Sequence, residues 1–190
     1  MAAYELIVIG ASLGGMRALQ AIFCKLPAGF QIPVAVVLHR GVSSEESWCA
    51  VLQPYSAFPI EEAYDKQLIS VGHIYVAPAN YHLLIEPGHF ALSTEAPVHS
   101  ARPSIDVLFE SAADSYGSAV IGVILTGGSE DGAQGLAAIK QHGGIAVVQD
   151  PATAEGHVMP AAAIAATAVD HILPLQDIGP LFQCLCQQGQ

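Results

Sequence analysis

The chain reads as an α/β protein: a doubly wound, mostly parallel sheet with an antiparallel β-hairpin at one edge. Three observations predict this. Residues 6–9, 33–38 and 120–125 are unbroken apolar runs, as expected of strands covered on both faces. Between the first two runs, Leu19, Ile22, Phe23 and Leu26 recur at helical spacing, which gives a strand–helix–strand unit with a right-handed crossover. Further on, residues 83–86 and 90–93 flank Pro87-Gly88-His89, which reads as a hairpin with a three-residue loop.

The first strand runs into the turn Gly10-Ala11-Ser12-Leu13-Gly14-Gly15, and Pro27 ends the helix that follows. The second strand ends at His39-Arg40. Ser43 and Glu46 have capping-box spacing and are expected to open a helix that turns Trp48, Val51 and Leu52 inward and stops before Pro54. Residues 74–77 form a short strand before the hairpin, and residues 94–101 a loop after it. Pro103 is expected near the first position of a helix carrying Ile105, Leu108, Phe109 and Ala112 inward. The strand over 120–125 leads to a helix over 133–142 that Gly143-Gly144 stops. A strand over 145–148, an alanine-rich helix over 160–168, an edge strand at Ile172-Leu173 and a closing helix over 180–186 complete the chain. With no repeat or linker in sequence, residues 1–190 are expected to form one domain.

Composition narrows the function. With 52% hydrophobic and 12% charged residues, the chain has ample material for a core. Six Lys and Arg against 17 Asp and Glu give a net charge of -11, so no basic stripe exists to neutralise nucleic-acid phosphates or anionic lipids. The apolar run over 160–169 is shorter than the roughly 20 residues that cross a bilayer. Residues 1–5 carry no basic region of a signal peptide, so a cytoplasmic protein without membrane insertion is expected. Cys24, Cys49, Cys184 and Cys186 form no CxxC and read as free thiols, and there is no HExxH. Neither a metal nor a cofactor is expected.

What remains is a coincidence of position. Three apolar runs are followed by one reactive side chain each: Ser12, His39 and Asp131. In an open parallel sheet, ligands sit outside the carboxyl ends of the strands, so a hydroxyl, an imidazole and a carboxylate can meet there as in a serine hydrolase. Gly10-x-Ser12-x-Gly14 has the pattern of a nucleophile elbow, and equally of a plain turn in which Ser12 caps the next helix. Asp131 also reads as an N-cap, and Glu130 and Asp150 are its rivals for the carboxylate role. The same turn nearly matches a dinucleotide fingerprint, but Ser12 replaces the glycine that lets pyrophosphate approach. His39-Arg40 also stands where an acid would hold an NAD ribose.

Several motifs in order resemble the catalytic domain of the chemotaxis protein-glutamate methylesterase (CheB) family. They are Gly10-Ala11-Ser12-x-Gly14-Gly15, Ile74-Tyr75-Val76-Ala77-Pro78 with His82, residues 102–109 (RPSIDVLF), Gly122-Val123-Ile124-Leu125-Thr126-Gly127 with Asp131-Gly132-Ala133, and Met159-Pro160. The resemblance implies a serine hydrolase that demethylates glutamate γ-methyl esters on the cytoplasmic helices of methyl-accepting chemoreceptors and can deamidate receptor glutamines. It implies Ser12 as nucleophile, His39 as general base and Asp131 as orienting carboxylate, with backbone N–H groups of Leu13, Gly127 and Gly128 supporting the oxyanion. Full-length members carry a receiver domain before the catalytic one. Here the first strand starts almost at once, which suggests a stand-alone form with a separate regulatory receiver, or a piece of a longer protein. The chain departs from the family at Leu38-His39-Arg40-Gly41, and at Gly128, which stands where a methionine helps shape the oxyanion pocket. Those departures motivate an alternative: a catalytically weak relative that acts as a signalling or receptor-binding module.

Overall fold

The computed structural model describes residues 4–39 and 47–187. In chain order the elements are β1 (Leu6–Ala11), α1 (Gly15–Phe23), β2 (Val34–Leu38), α2 (Trp48–Leu52), β3 (Ile60–Glu62), β4 (Ile74–Val76), β5 (His82–Glu86), β6 (His89–Ser93), α3 (Ile105–Tyr116), β7 (Val120–Ile124), α4 (Ala133–Gln141), β8 (Ile145–Gln149), α5 (Val158–Ala166), β9 (His171–Leu173) and α6 (Leu175–Gln187). Seven strands pair in the order β3-β4-β2-β1-β7-β8-β9, every pair parallel.

Successive side chains on a strand point to opposite faces, and both faces of this sheet are covered. Ile7, Ile9, Val36 and Val123 pack with Leu19, Ile22 and Phe23 of α1 and with Ile178 and Phe182 of α6. Leu6, Val8, Val37 and Ile124 pack with Ile105, Leu108 and Phe109 of α3 and with Leu136 and Ile139 of α4. Each such side chain, fully buried, contributes about 1.5–3 kcal/mol. The chain leaves β1 toward one face and β7 toward the other, so a crevice opens between their carboxyl ends, where ligands of doubly wound sheets bind.

The expected fold class is observed, with local differences that have physical causes. The hairpin stands as a separate two-stranded sheet rather than extending the main one. The outer edge of β5 is occupied: Ile85 N–H donates to Ser111 Oγ at 3.0 Å, and Ser115 Oγ–H donates to Ile85 O at 2.9 Å, both from α3. Its loop is two residues, Pro87 and Gly88, because Glu86 pairs with His89 and Gly88 (φ 80°) makes the tight corner. Pro103 lies outside α3, whose N-cap is Ser104. The helix α2 is only five residues long, capped by Ser47, so Leu52 reaches the core while Val51 stays exposed. The expected capping box at Ser43 and Glu46 lies outside the described residues. The closing helix starts at Leu175 and keeps Pro180 inside it. Proline has no N–H for the carbonyl four residues back, and that carbonyl, Gln176 O, instead accepts from Lys25 Nζ at 2.9 Å.

Candidate active site

The register of the central strands brings the first two predicted residues together. Ala11 pairs with Leu38, so Ser12 and His39 follow side by side at the ends of β1 and β2, and His39 N–H donates to Ala11 O at 3.0 Å. Both line one cavity of about 520 Å³ with Asn80, His99, Arg102 and Ser129. Both also line a second one, of about 300 Å³, with Met16, Leu38 and Trp48.

The turn after β1 is not a strained elbow at the serine. The left-handed corner falls on Gly14 (φ 77°), the N-cap of α1, where a Cβ would stand 2.8 Å from Glu155 Oε2. Ser12 therefore lies outside the helix and is not its cap. Its backbone is tied down, with N–H donating to Thr126 O at 2.9 Å, while among the described residues no hydrogen bond holds its hydroxyl.

The Asp131 side chain is fully buried, and its carboxylate reaches His39 Nε2 at 2.7 Å. It is not the cap of its own helix, whose N-cap is Gly132. It caps α3 instead: Oδ2 accepts from Ile105 N–H at 2.7 Å, and Oδ1 from Asp106 N–H at 3.0 Å and from Ser104 Oγ–H at 2.8 Å. Burial alone would raise this carboxyl, but His39, the two α3 amides and Ser104 outweigh it and hold it below the usual Asp range. An ionised carboxylate can only accept, so the nitrogen facing it carries the proton and His39 Nδ1 is left as the basic atom.

The rivals are placed elsewhere. Asp150 caps a short 3₁₀ turn, accepting from Ala152 N–H at 2.9 Å, and Glu130 is exposed. One predicted donor is removed as well. Gly127 N–H donates to Gly156 O at 2.9 Å, so it is committed to the fold and cannot serve an oxyanion. A Cβ at Gly127 would meet Met159 Sδ at 2.7 Å, so residue 127 packs a buried side chain rather than lining the site. Leu13 and Gly128 are exposed, and among the described residues their N–H groups meet no protein acceptor.

Sequence reasoning missed the support around Asp131. Asp106 returns the capping: its Oδ1 accepts from Gly132 N–H at 2.9 Å and Gly135 N–H at 2.7 Å, so α3 and α4 each lend a carboxylate to the other's N-terminus. Asp106 Oδ2 also lies 3.2 Å from His99 Nε2. Burial, followed by the neighbouring Asp131 charge, raises the Asp106 carboxyl against the lowering effect of Gly135, His99 and Gly132. Buried His82 accepts from Ser104 N–H at 3.3 Å and donates to Ala96 O at 3.1 Å, fixing the start of α3. The one sequence signal for this arrangement was the Ser104-x-Asp106 pair inside the motif at 102–109.

Comparison with known proteins identifies the family. A protein from Leptospira interrogans named "Putative protein-glutamate methylesterase/protein-glutamine glutaminase" is 51% identical over 187 residues, covering 98% of this chain and 97% of its own. A protein-glutamate methylesterase/protein-glutamine glutaminase of Anaeromyxobacter dehalogenans is 41% identical over 92% of this chain, which spans only 51% of that protein. The crystal structure of the Thermotoga maritima CheB methylesterase catalytic domain superposes with a TM-score of 0.92 at 31% identity, covering 97% of this chain and 100% of that one. The CheB methylesterase family model matches residues 7–182, and the chain belongs to that family, a family of carboxylic ester hydrolases.

Proposed function

We propose that the protein demethylates glutamate γ-methyl esters on the cytoplasmic helices of methyl-accepting chemoreceptors, and by the same chemistry deamidates receptor glutamines. One observation carries this reading: a buried, ionised Asp131 holds His39 by Nε2 in a cavity that also contains the Ser12 hydroxyl. Ser12 Oγ attacks the ester carbonyl carbon while His39 Nδ1 takes its proton. The oxyanion is met by the N–H groups of Leu13 and Gly128. The intermediate collapses, the C–O bond to the methoxy group breaks, and His39 gives its proton to the leaving methanol. Water then attacks the glutamyl ester of Ser12, again losing its proton to His39, and glutamate and free Ser12 result. With glutamine the leaving group is ammonia. Asp131 stays ionised throughout and stabilises the imidazolium. The protein works in the cytoplasm, where these helices lie.

The alternative, a weak relative that binds a receptor without turning it over, draws on the committed amide of Gly127, which leaves fewer donors for an oxyanion. A fluorophosphonate serine probe separates the two. Stoichiometric labelling at Ser12, absent from Ser12→Ala, is expected of the hydrolase. A folded protein that takes no label supports the binding module.

A further inference from the structure

Thr126, one step past β7, is buried, and the reaction steps above give it no part. Its N–H, carbonyl and hydroxyl are all spent. The N–H donates to Oε1 of buried Gln149 at 2.9 Å, and Gln149 Nε2 donates on to Thr153 O at 3.1 Å. The carbonyl accepts from Ser12 N–H at 2.9 Å. The hydroxyl accepts from Gly156 N–H at 2.8 Å and donates to Leu13 O at 2.8 Å, with Gly156 O more distant at 3.5 Å. Valine has the same shape, so packing alone does not call for a hydroxyl here; a buried hydroxyl is tolerated because it is bonded. Two of these bonds bracket one peptide, Ser12–Leu13: Thr126 holds the N–H of the peptide before it and the carbonyl of the peptide after it. The Ser12–Leu13 peptide itself turns its carbonyl to Gly15 N–H at 2.8 Å. In a planar trans peptide the N–H lies on the edge opposite the carbonyl, so the Leu13 N–H has one fixed direction, away from the start of α1.

We propose that Thr126 is a positioning residue for the oxyanion: by holding Leu13 O, its hydroxyl sets the aim of the Leu13 N–H beside the Ser12 nucleophile. The proposal rests on the hydrolase reading above, in which that N–H meets the oxyanion. A donor aimed in advance stabilises charge that develops only in the transition state, whereas a donor free to swing must be ordered at that moment. Without the hydroxyl, Leu13 O is released and the chain beside the nucleophile loses one of its two ties to Thr126. The neutral ester draws little on such a donor, so the loss falls on kcat rather than KM.

The test compares wild type with Thr126→Val, which keeps the shape without the hydroxyl, and Thr126→Ser, which keeps the hydroxyl. The assay is methanol release from methylated receptor cytoplasmic fragments, with kcat divided by the folded fraction that urea denaturation gives on the same preparation. Thr126→Val is expected to lose about 10- to 100-fold in kcat, less than the roughly 10²–10³ for deleting a donor outright, with KM within about twofold of wild type. Thr126→Ser is expected to stay within about threefold in kcat. Thr126→Val also orphans Gly156 N–H, so a lower denaturation midpoint is expected as well. A residue that only ties the fold together would show that loss of stability with kcat per folded molecule unchanged, and this result overturns the proposal. So does a fall in Thr126→Ser equal to that in Thr126→Val, because the hydroxyl is then not what acts. If Thr126→Val does not fold, Thr126→Ala, which leaves room for water on Leu13 O and Gly156 N–H, is read by the same criterion. No release by wild type removes the hydrolase reading and this proposal with it; release by wild type and equally by Thr126→Val removes this proposal alone.

Discussion

Replacing Asp131 by asparagine separates charge from shape at the most connected side chain of the site. The carboxylate accepts four hydrogen bonds, from His39, Ile105, Asp106 and Ser104. An asparagine amide must put its NH₂ where one oxygen stood. In the Oδ2 position it would face the Ile105 amide and the His39 ring, both at 2.7 Å. In the Oδ1 position it would face the Asp106 amide at 3.0 Å and Ser104 Oγ at 2.8 Å, and the hydroxyl can rotate to accept. The second orientation costs less and leaves one backbone N–H unsatisfied, worth about 1–3 kcal/mol. Loss of a negative charge at the N-terminus of α3 adds up to about 1 kcal/mol, so Asp131→Asn is expected to destabilise the fold by about 1–4 kcal/mol. Its remaining oxygen still orients His39, but the imidazolium loses its counter-charge. A fall in kcat of roughly three to four orders of magnitude is expected, about 4–5.5 kcal/mol of barrier. The assay is methanol release at saturating ester on protein shown folded by urea denaturation at the same temperature. The stability loss also has a pH signature. The Asp131 carboxyl is held below the usual range, so its contribution is complete above the unfolded value of about 3.9 and is lost as pH falls through the depressed folded value. The gap between wild type and Asp131→Asn is therefore expected to narrow only in acid. If kcat stays within tenfold of wild type while stability falls as predicted, Asp131 is a helix cap alone and the reasoning is refuted.

Asp106→Asn provides the contrasting case. Both backbone bonds go to Oδ1 and only His99 faces Oδ2, so an asparagine can keep the caps, and burial of its charge is relieved. Urea denaturation at neutral pH is expected to find it within about 1 kcal/mol of wild type, against about 2 kcal/mol or more lost in Asp106→Ala, which leaves two amides without acceptors. Ser104→Ala removes one of four bonds to Asp131 and is expected to cost about 1 kcal/mol in stability and about tenfold or less in kcat. Gly10→Ala would place a Cβ 2.3 Å from Ile105 Cγ2 under α3. Overpacking there is expected to cost about 1–3 kcal/mol, read as a lower denaturation midpoint, with activity reduced because α3 carries the amides that hold Asp131.

Ser12 and His39 were legible because a strand buried on both faces shows as an unbroken apolar run, and β1 and β2 have no exposed position in them. The side chain one step past such a run must stand at the rim of the sheet, which is how Ser12 and His39 could be placed before their register was known. The exchange of carboxylates between α3 and α4 was not legible, because it joins residues 25 or more positions apart and each acid looks locally like a cap for its own helix. Gly127 was misjudged for a related reason: its partner, Gly156, belongs to a loop that the sequence does not tie to β7. Short elements were also lost. The strand β3 is three residues with one buried, too few for a period, and α6 was started late because Pro180 reads as a boundary when Lys25 is not there to take the freed carbonyl.

The account stands or falls on Ser12 as the nucleophile of an esterase. Its most direct test is methanol release from methylated receptor cytoplasmic fragments, drawn from several receptor classes, by wild type and by Ser12→Ala in parallel. The account predicts release by wild type and a loss of at least about three orders of magnitude in the variant, with its denaturation midpoint unchanged. Equal release by both proteins would contradict it.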